Sequence, residues 1–428
     1  LEYAVKTSLA LNLNVAEHCK FDRKQYFYPD LPKNYQISQF DEPLAENGWL
    51  EVEIIEKDKE PYIKKIGIER LHMEEDAGKL VHSGSDRLAG SKYSLVDYNR
   101  AGIALCEIVS KPDIRSGKEA SEYASEIRRT VRYLGVSDGN MQEGSLRADV
   151  NVSVRIKGTE KLGTRCEIKN VNSIKFMQMA INYEANRQVD LIEEGNSIDQ
   201  ETRLFDTKKN ETRSMRSKED AHDYRYFPDP DLLPLEVTDD FVEKIKSEIP
   251  ELPDEKKKRF IEKFKLSPYE ATILVSDIET SKYFEEVIEN SDVKLATNWI
   301  TGELFAVLNE KNLEISESPV SAKNLSKLIN LIKDGTISGK IAKTIFELMM
   351  DSDKDPQKIV EEKSLKQESD PKALEALIDK VIVDNPDKVK EYKSGKEKLF
   401  GFFVGQAMKD SNGKANPQLV NDILKKKL

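Results

Sequence analysis

The sequence predicts an α+β protein, in which a mixed and largely antiparallel β-sheet domain with helices is followed by an all-α helical domain and a small all-α tail. Three observations predict it. Short runs of β-forming residues alternate with turn signals through the first part of the chain. From about Val237 the pattern changes to capped helical segments. No run of 18 apolar residues interrupts the 428 residues, so the amphipathic segments must pack on one another. The expected domains are 1–237, 238–318 and 319–428.

Composition narrows the function classes. A net charge of −11 does not by itself suggest nucleic-acid binding, for which a basic footprint is the usual sign. The three cysteines are widely spaced, which argues against a disulfide framework and against a structural zinc site. With no signal-peptide pattern and no spanning run, a cytoplasmic protein without membrane association is expected. The sequence opens at Leu1 inside a helical pattern, so it is expected to lack its native start.

Leu1 to Asn14 reads as the end of an amphipathic helix. Phe21 to Gln36 follows, with four aromatics before Pro32 interleaved with Arg23, Lys24 and Asp30. Its prolines speak for a loop, and its rings and cations suit stacking a base or clamping a phosphate; rings that merely cap a core edge are the alternative. Trp49 to Ile55 and Tyr62 to Arg70 read as antiparallel strands, with turn signals such as Asn47-Gly48 between runs. Leu71 to Gly78, Leu-His-Met-Glu-Glu-Asp-Ala-Gly, then crowds an imidazole and three carboxylates together. Hard cations such as Mg²⁺ take oxygen ligands of this kind; a solvated acidic turn is the alternative. Val81 to Lys92 reads as a flexible polar insertion, since Gly84 to Lys92 misses the glycine spacing of a phosphate loop.

Ile103 to Val109 is apolar on both faces, with Glu107 in the middle. Such a strand is expected to be buried on both sides, so Glu107 requires a metal ion, a cationic partner or a proton. Pro112 to Gly135 reads as a helix with Arg128, Arg129 and Arg132 near its end. Glu143 to Arg155 alternates cleanly: Leu146, Ala148, Val150, Val152 and Val154 on one face, Arg147, Asp149, Asn151, Ser153 and Arg155 on the other. Thr164 to Asn170 alternates likewise through Arg165, Glu167 and Lys169, and the two strands read as a hairpin. Its polar face offers fixed donors and acceptors for a polar substrate or a phosphate, the alternative being an ordinary solvated face. Ser173 reads as the N-cap of a helix to Glu194, ended by Gly195. Gln200 to Asp206 is a further strand, and Met215 to Asp231 a second aromatic, charged, proline-broken loop; two such loops suggest the rim of a cleft. The helical segments beyond are Phe241 to Lys246, Asp254 to Lys265, Pro268 to Ser276, Ser281 to Asn290 and Thr297 to Asn309. Tyr392 to Leu428 holds eight lysines against three acids, a local balance that can track a phosphate backbone.

Taken in order, Phe21-Asp-Arg-Lys, Tyr28-Pro-Asp-Leu-Pro-Lys-Asn-Tyr-Gln, the Leu71 to Gly78 motif, Glu143-Gly-Ser-Leu-Arg, Glu167-Ile-Lys-Asn and Asp223-Tyr-Arg-Tyr-Phe-Pro closely resemble the GatB subunit of the aspartyl/glutamyl-tRNA amidotransferases. The resemblance implies a cradle-shaped sheet domain, a helical domain and a tail that binds tRNA. It implies ATP-dependent phosphorylation of the side-chain carboxylate of Glu on tRNA(Gln) or Asp on tRNA(Asn), followed by amidation. The ammonia would come from a separate amidase subunit, in a heterotrimer completed by a small subunit; no Ser/Lys nucleophile motif for a glutaminase stands out here. Carried over by position, Glu75 and Glu107 are expected to bind Mg²⁺. Glu143, Arg147, Asp149 and Lys169 are expected at the catalytic centre, with Arg147, Arg165 and Lys169 on ATP. The family's two further metal ligands, a Glu and a His from a Gly-Leu-Glu-Val-His segment, fall outside this sequence. A non-catalytic tRNA-binding scaffold and an unrelated metal-dependent hydrolase are the competing readings.

Overall fold

The computed structural model describes residues 1–82, 93–215, 224–366, 370–411 and 414–428. The Val81 to Lys92 insertion and the Met215 to Asp231 loop therefore fall partly outside the described residues. The chain divides into two compact units, Leu1–Pro253 and Asp254–Leu428.

The first unit carries two four-stranded sheets. In the main sheet, Asn14–Val15, Ala45–Ile54, Tyr62–Glu75 and Ala104–Ser110 lie side by side, every neighbour antiparallel. One face of it is apolar: Leu50, Val52, Ile54, Ile66, Ile68, Leu71 and Met73 are buried with Val5 of the Glu2–Ala10 helix and Ile127 of the Gly117–Tyr133 helix. The spacing of these buried positions changes phase at Glu69, where a register shift separates Ile68 from Arg70. Ile66 and Ile68 precede the shift and Leu71 and Met73 follow it, so the extra residue keeps one face apolar throughout. The opposite face accordingly carries Lys65, Gly67, Arg70, His72 and Glu74.

The second sheet orders Val150–Val152, Cys166–Lys169, Thr202–Asp206 and Glu211–Ser214. Its central pair is parallel because the Ile174–Glu193 helix crosses over between the two strands. Ser173 accepts from the Phe176 N–H at 3.1 Å to start that helix, and Gly195, at φ +83°, follows its end, both as the sequence predicts. The hairpin also forms, although shorter than its alternation suggests: only Val150–Val152 pairs with Cys166–Lys169, and Arg147 and Asp149 lie ahead of the strand. The predicted Pro112 to Gly135 helix begins at Gly117, where the Ser116 side chain accepts from Glu119 N–H. Ahead of it, Asp113 accepts from Gly67 N–H and Lys111 N–H donates to Gly67 O, which ties that segment to the main sheet.

Two expectations fail here. Phe21 to Gln36 is not all loop: Asp22–Gln25 and Tyr35–Ser38 are strands, joined by Phe227–Pro228 in a three-stranded sheet. The prolines at 29 and 32 sit in the connection, where no ladder hydrogen bond is needed, and the two aromatic segments pair with each other. Ala104–Ser110 is not buried on both faces; Ala104, Cys106 and Glu107 are exposed, because that strand is an edge of its sheet.

The second unit is helical from Pro253–Phe264 to Pro417–Lys427. The helix predicted over Thr297 to Asn309 spans Val293–Asn298, a π-helical turn Trp299–Leu304 and Phe305–Lys311. Two separate cores form, one among Phe260, Phe284, Trp299, Leu325, Ile345 and Phe346, the other among Leu374, Ile378, Phe403, Ala407 and Leu424. Among the described residues no helix is long and apolar enough to cross a membrane.

Candidate active site

The site forms where the Tyr62–Glu75 strand runs past the end of its Ala45–Ile54 neighbour. Strand alternation puts His72 and Glu74 on one face, and antiparallel register sets His72 directly opposite Glu107. His72 Nε2 lies 3.3 Å from a Glu107 oxygen and 3.7 Å from a Glu74 oxygen. Ligand atoms of His72, Glu74 and Glu107 all fall within 4.8 Å of one another. His72 is buried, whereas the Glu107 side chain is 50% exposed, so the cluster opens toward solvent through Glu107.

Hydrogen bonds fix this arrangement. Arg70 Nε donates to His72 Nδ1 at 3.2 Å, which leaves the Nε2 side facing the carboxylates. Ser38 Oγ donates to Glu74 at 3.3 Å, and Gln39 Oε1 accepts from Met73 N–H at 2.9 Å, so the Tyr35–Ser38 strand braces the end of the long one. Burial opposes the His72 charge, but the hydrogen bonds to Glu107 and Glu74 outweigh it and raise the imidazole pKa. The hydrogen bond from His72 holds the Glu107 carboxyl below its ordinary range, with Lys24 and Arg70 adding to the effect. Tyr26 and Tyr226 lie within electrostatic reach of the carboxylates. Burial pushes Tyr26 and Tyr226 up to about 12, and Glu74 contributes to both shifts. Tyr226 stacks on Phe40 at 4.3 Å between centroids, and Lys24 Nζ sits 4.8 Å from the Tyr224 ring centroid. The two aromatic segments thus contribute to one site.

The sequence-selected residues divide. Glu107 is in the cluster; Glu75 is not, because alternation turns it to the other side of the strand from Glu74. There Glu75 pairs with Lys33 and accepts from Ile37 N–H at 2.9 Å, which anchors the Tyr35–Ser38 strand. Arg147 reaches the motif through buried Asp76, at 2.8 Å, beside Arg100 at 3.3 Å. Lys169 instead bridges Asp149 at 3.2 Å and Glu167 at 3.0 Å; burial opposes its charge, yet these two carboxylates raise its pKa. Glu143 and Arg165 are exposed, and their side chains make no ion pair among the described residues. Sequence reasoning places His72 and Glu74 in the acidic motif as a candidate cation site but selects Glu75 among its carboxylates; the i, i+2 spacing of His72 and Glu74 at a strand end is the signal for the pair. Lys24 and Tyr226 belong to the two aromatic, charged segments that the sequence singles out, but the pairing that joins those segments across about two hundred residues has no local signal.

Residues 1–243 match the family model described as the GatB/GatE catalytic domain, and residues 282–428 match the GatB domain. The B subunit of the aspartyl/glutamyl-tRNA(Asn/Gln) amidotransferase of Pelagibacter ubique is 71% identical over 432 residues, which span all of this chain and 86% of that protein. The chain belongs to the GatB family. The corresponding B subunit of Prochlorococcus marinus (strain AS9601) is 64% identical over 429 residues, again all of this chain and 88% of that protein. In this GatB chain, the whole His72, Glu74 and Glu107 cluster and both four-stranded sheets lie within the part that matches the catalytic-domain model.

Proposed function

We infer that this GatB chain performs the ATP-dependent step of tRNA-dependent amidation, converting Glu on tRNA(Gln) or Asp on tRNA(Asn) to the amide. The observation that carries this reading is the convergence of His72, Glu74 and Glu107 on an open sheet face inside the matched catalytic domain. Two carboxylates and an imidazole fit a divalent cation such as Mg²⁺, for which His72, Glu74 and Glu107 would be the ligands. Such a cation would offset the negative charge gathered at the transferring phosphoryl group.

The substrate's side-chain carboxylate oxygen attacks the γ-phosphorus of ATP, the bond to the bridging oxygen breaks, and ADP leaves. Ammonia then attacks the acyl carbon, inorganic phosphate leaves with the bonding pair, and the nitrogen loses a proton. Both steps bring anions together, so the chain's own cations matter. Lys24 and Arg70, which already stabilise the Glu107 carboxylate, are placed to hold phosphate or carboxylate oxygens beside the cluster. Arg147, fixed by Asp76, together with Asp149, Lys169, Glu143 and Arg165, would orient ATP and the aminoacyl end from the second sheet and the segments that lead into it. Tyr26, Tyr224 and Tyr226 supply ring faces for the adenine or the terminal base. Chemistry is assigned to 1–237 and tRNA contacts to 319–428, with 238–318 a helical domain between them in the sequence. The partners are an amidase subunit that releases ammonia from glutamine and a small third subunit, in the cytoplasm.

The test is ATP consumption dependent on Glu-tRNA(Gln) in the assembled heterotrimer. Glu107→Gln should lower it at least 100-fold while glutamine hydrolysis by the amidase partner continues. Wild-type rates in that variant would remove Glu107 from the site.

A further inference from the structure

A second concavity lies on the same sheet, away from the acidic cluster. It is an open groove of about 480 Å³ lined by Gly48, Trp49, Lys64, Lys65, Gly67, Lys111, Asp113 and Arg115. Four cations against one carboxylate is the reverse of the balance of the chain, which carries −11 overall. Three of the four are unneutralised. Lys65 has its ammonium 3.9 Å from the Trp49 ring centroid and makes no ion pair among the described residues, not even with Glu51, its register partner. Lys111 Nζ donates to the neutral amide of Asn47 at 3.3 Å, and the Arg115 guanidinium donates to the carbonyls of Pro112 and Ile114. Lys64 alone has an acid, Glu119, at 3.7 Å. The Asp113 carboxylate is occupied by Gly67 N–H at 2.9 Å.

The groove is built. Gly67 is opposite Trp49 in the ladder, and a Cβ there would meet Lys111 Cδ at 2.8 Å and Asp113 Oδ2 at 3.0 Å. Glycine therefore leaves room for the Lys111 and Asp113 side chains to lie against the strand. Lys65 and Gly67 also share the face that carries His72 and Glu74, since the phase change at Glu69 keeps the apolar positions on the other side. Groove and cluster lie along one strand, roughly 20 Å apart at about 3.3 Å per residue.

We propose that this groove binds the phosphate backbone of the tRNA whose aminoacyl end enters the His72, Glu74 and Glu107 cluster, with Lys65, Lys111 and Arg115 as the phosphate-contacting residues. The proposal rests on the functional reading above. Cations that lack acidic partners, held by a ring, an amide and backbone carbonyls, present fixed positive charge to a polyanion without reading its bases. An acidic protein surface would fit the same charge. The position of the groove on the catalytic face, one strand length from the reacting end of an extended RNA, favours the nucleic acid.

The experiment uses the assembled complex and compares wild type, Lys65→Gln/Lys111→Gln and Lys65→Arg/Lys111→Arg. It reads tRNA affinity against KCl concentration, and kcat and KM for tRNA-dependent ATP consumption. The glutamine variant should bind tRNA roughly ten-fold or more weakly near 0.1 M salt, with the log–log salt slope reduced by about two, and KM raised at constant kcat. The arginine variant should restore affinity and slope. Wild-type affinity and slope in the glutamine variant overturn the proposal, as does equal loss in both variants, which would make charge irrelevant. Loss of heterotrimer assembly at unchanged tRNA affinity overturns it in favour of a protein-docking surface. A wild-type complex that consumes no ATP in response to misacylated tRNA overturns the functional reading itself, a result distinct from an active wild type matched by its variant.

Discussion

Glu74 faces His72 and accepts from Ser38, whereas Glu75, one position on, pairs with Lys33 and accepts from the Ile37 backbone. The two carboxylates therefore have separate tasks, one toward the open cluster and one toward the strand that braces it. Glu74→Ala is expected to weaken binding of Mn²⁺, used as a calorimetric and paramagnetic probe, by about 10-fold or more, because one of three donors is lost. Glu75→Ala should retain Mn²⁺ affinity within a few-fold while lowering the melting temperature. Retained Mn²⁺ binding in Glu74→Ala together with lost binding in Glu75→Ala would reverse this assignment. The acidic motif is legible in the sequence, and so is Glu107 as the carboxylate set apart in the strand beside it. Which of two adjacent glutamates faces the site is not, because that depends on the strand continuing to Glu75 and on its register with Ala104–Ser110. The physical reason for Glu107 also changes: it is an accessible carboxylate held by His72, not a charge stranded between two apolar faces.

The second sheet depends on a buried charge cluster that fastens a helix to two strands. Glu184, fully buried on the Ile174–Glu193 helix, accepts from Arg187 at 2.6 Å, Gln188 at 2.8 Å and Thr212 at 2.7 Å, and lies 3.1 Å from Arg203. Burial alone would push the Glu184 carboxyl up; the hydrogen bonds outweigh it and hold the carboxyl below its ordinary value of 4.5. A depressed folded-state value means that this stabilisation is fully present above pH 4.5 and is lost as pH falls through the folded value. Glu184→Gln should cost about 1–3 kcal/mol at pH 7, since Arg187 and Arg203 lose one of their two carboxylate partners and keep Glu201, and should flatten the decline in stability below pH 4.5. Urea titrations at pH 7 and at steps below 4.5 check both; an unchanged acid slope would remove Glu184 from the account. At this scale the sequence is informative where signals are local. Ser173 and Gly195 bracket their helix as read, while the parallel pairing of Cys166–Lys169 with Thr202–Asp206 and the union of the two aromatic segments rest on distant partners that no local pattern announces.

Across the whole molecule, charge is distributed against its sum. The tail holds eight lysines between Tyr392 and Leu428, of which Lys396 pairs with Glu391 and Lys427 with Asp379. The core beneath them runs from Leu374 to Leu424, so a cut at Tyr392 would divide it. Deletion from Pro371 onward removes that core whole, and is expected to weaken tRNA binding and lower its salt slope by several units. Filter binding over a KCl series measures this, and an undiminished slope would show that the tail lysines touch no phosphate. The change from sheet to helix near Val237 and the lysine-rich end can both be read in advance. The basic groove cannot, because Trp49, Lys65 and Lys111 come from three segments that meet only around Gly67.

The extra residue at Glu69 makes the long strand a matter of counting. Between Ile68 and His72 the chain must keep its parity, or every later side chain changes sides. Loss of one residue there would turn His72 and Glu74 into the apolar interior and Leu71 and Met73 out to water, with no atom of the cluster itself replaced. Insertions and deletions in this stretch can therefore survive only in pairs. Any relative whose strand differs in length here by a single residue must carry a compensating irregularity nearby, or have lost the site.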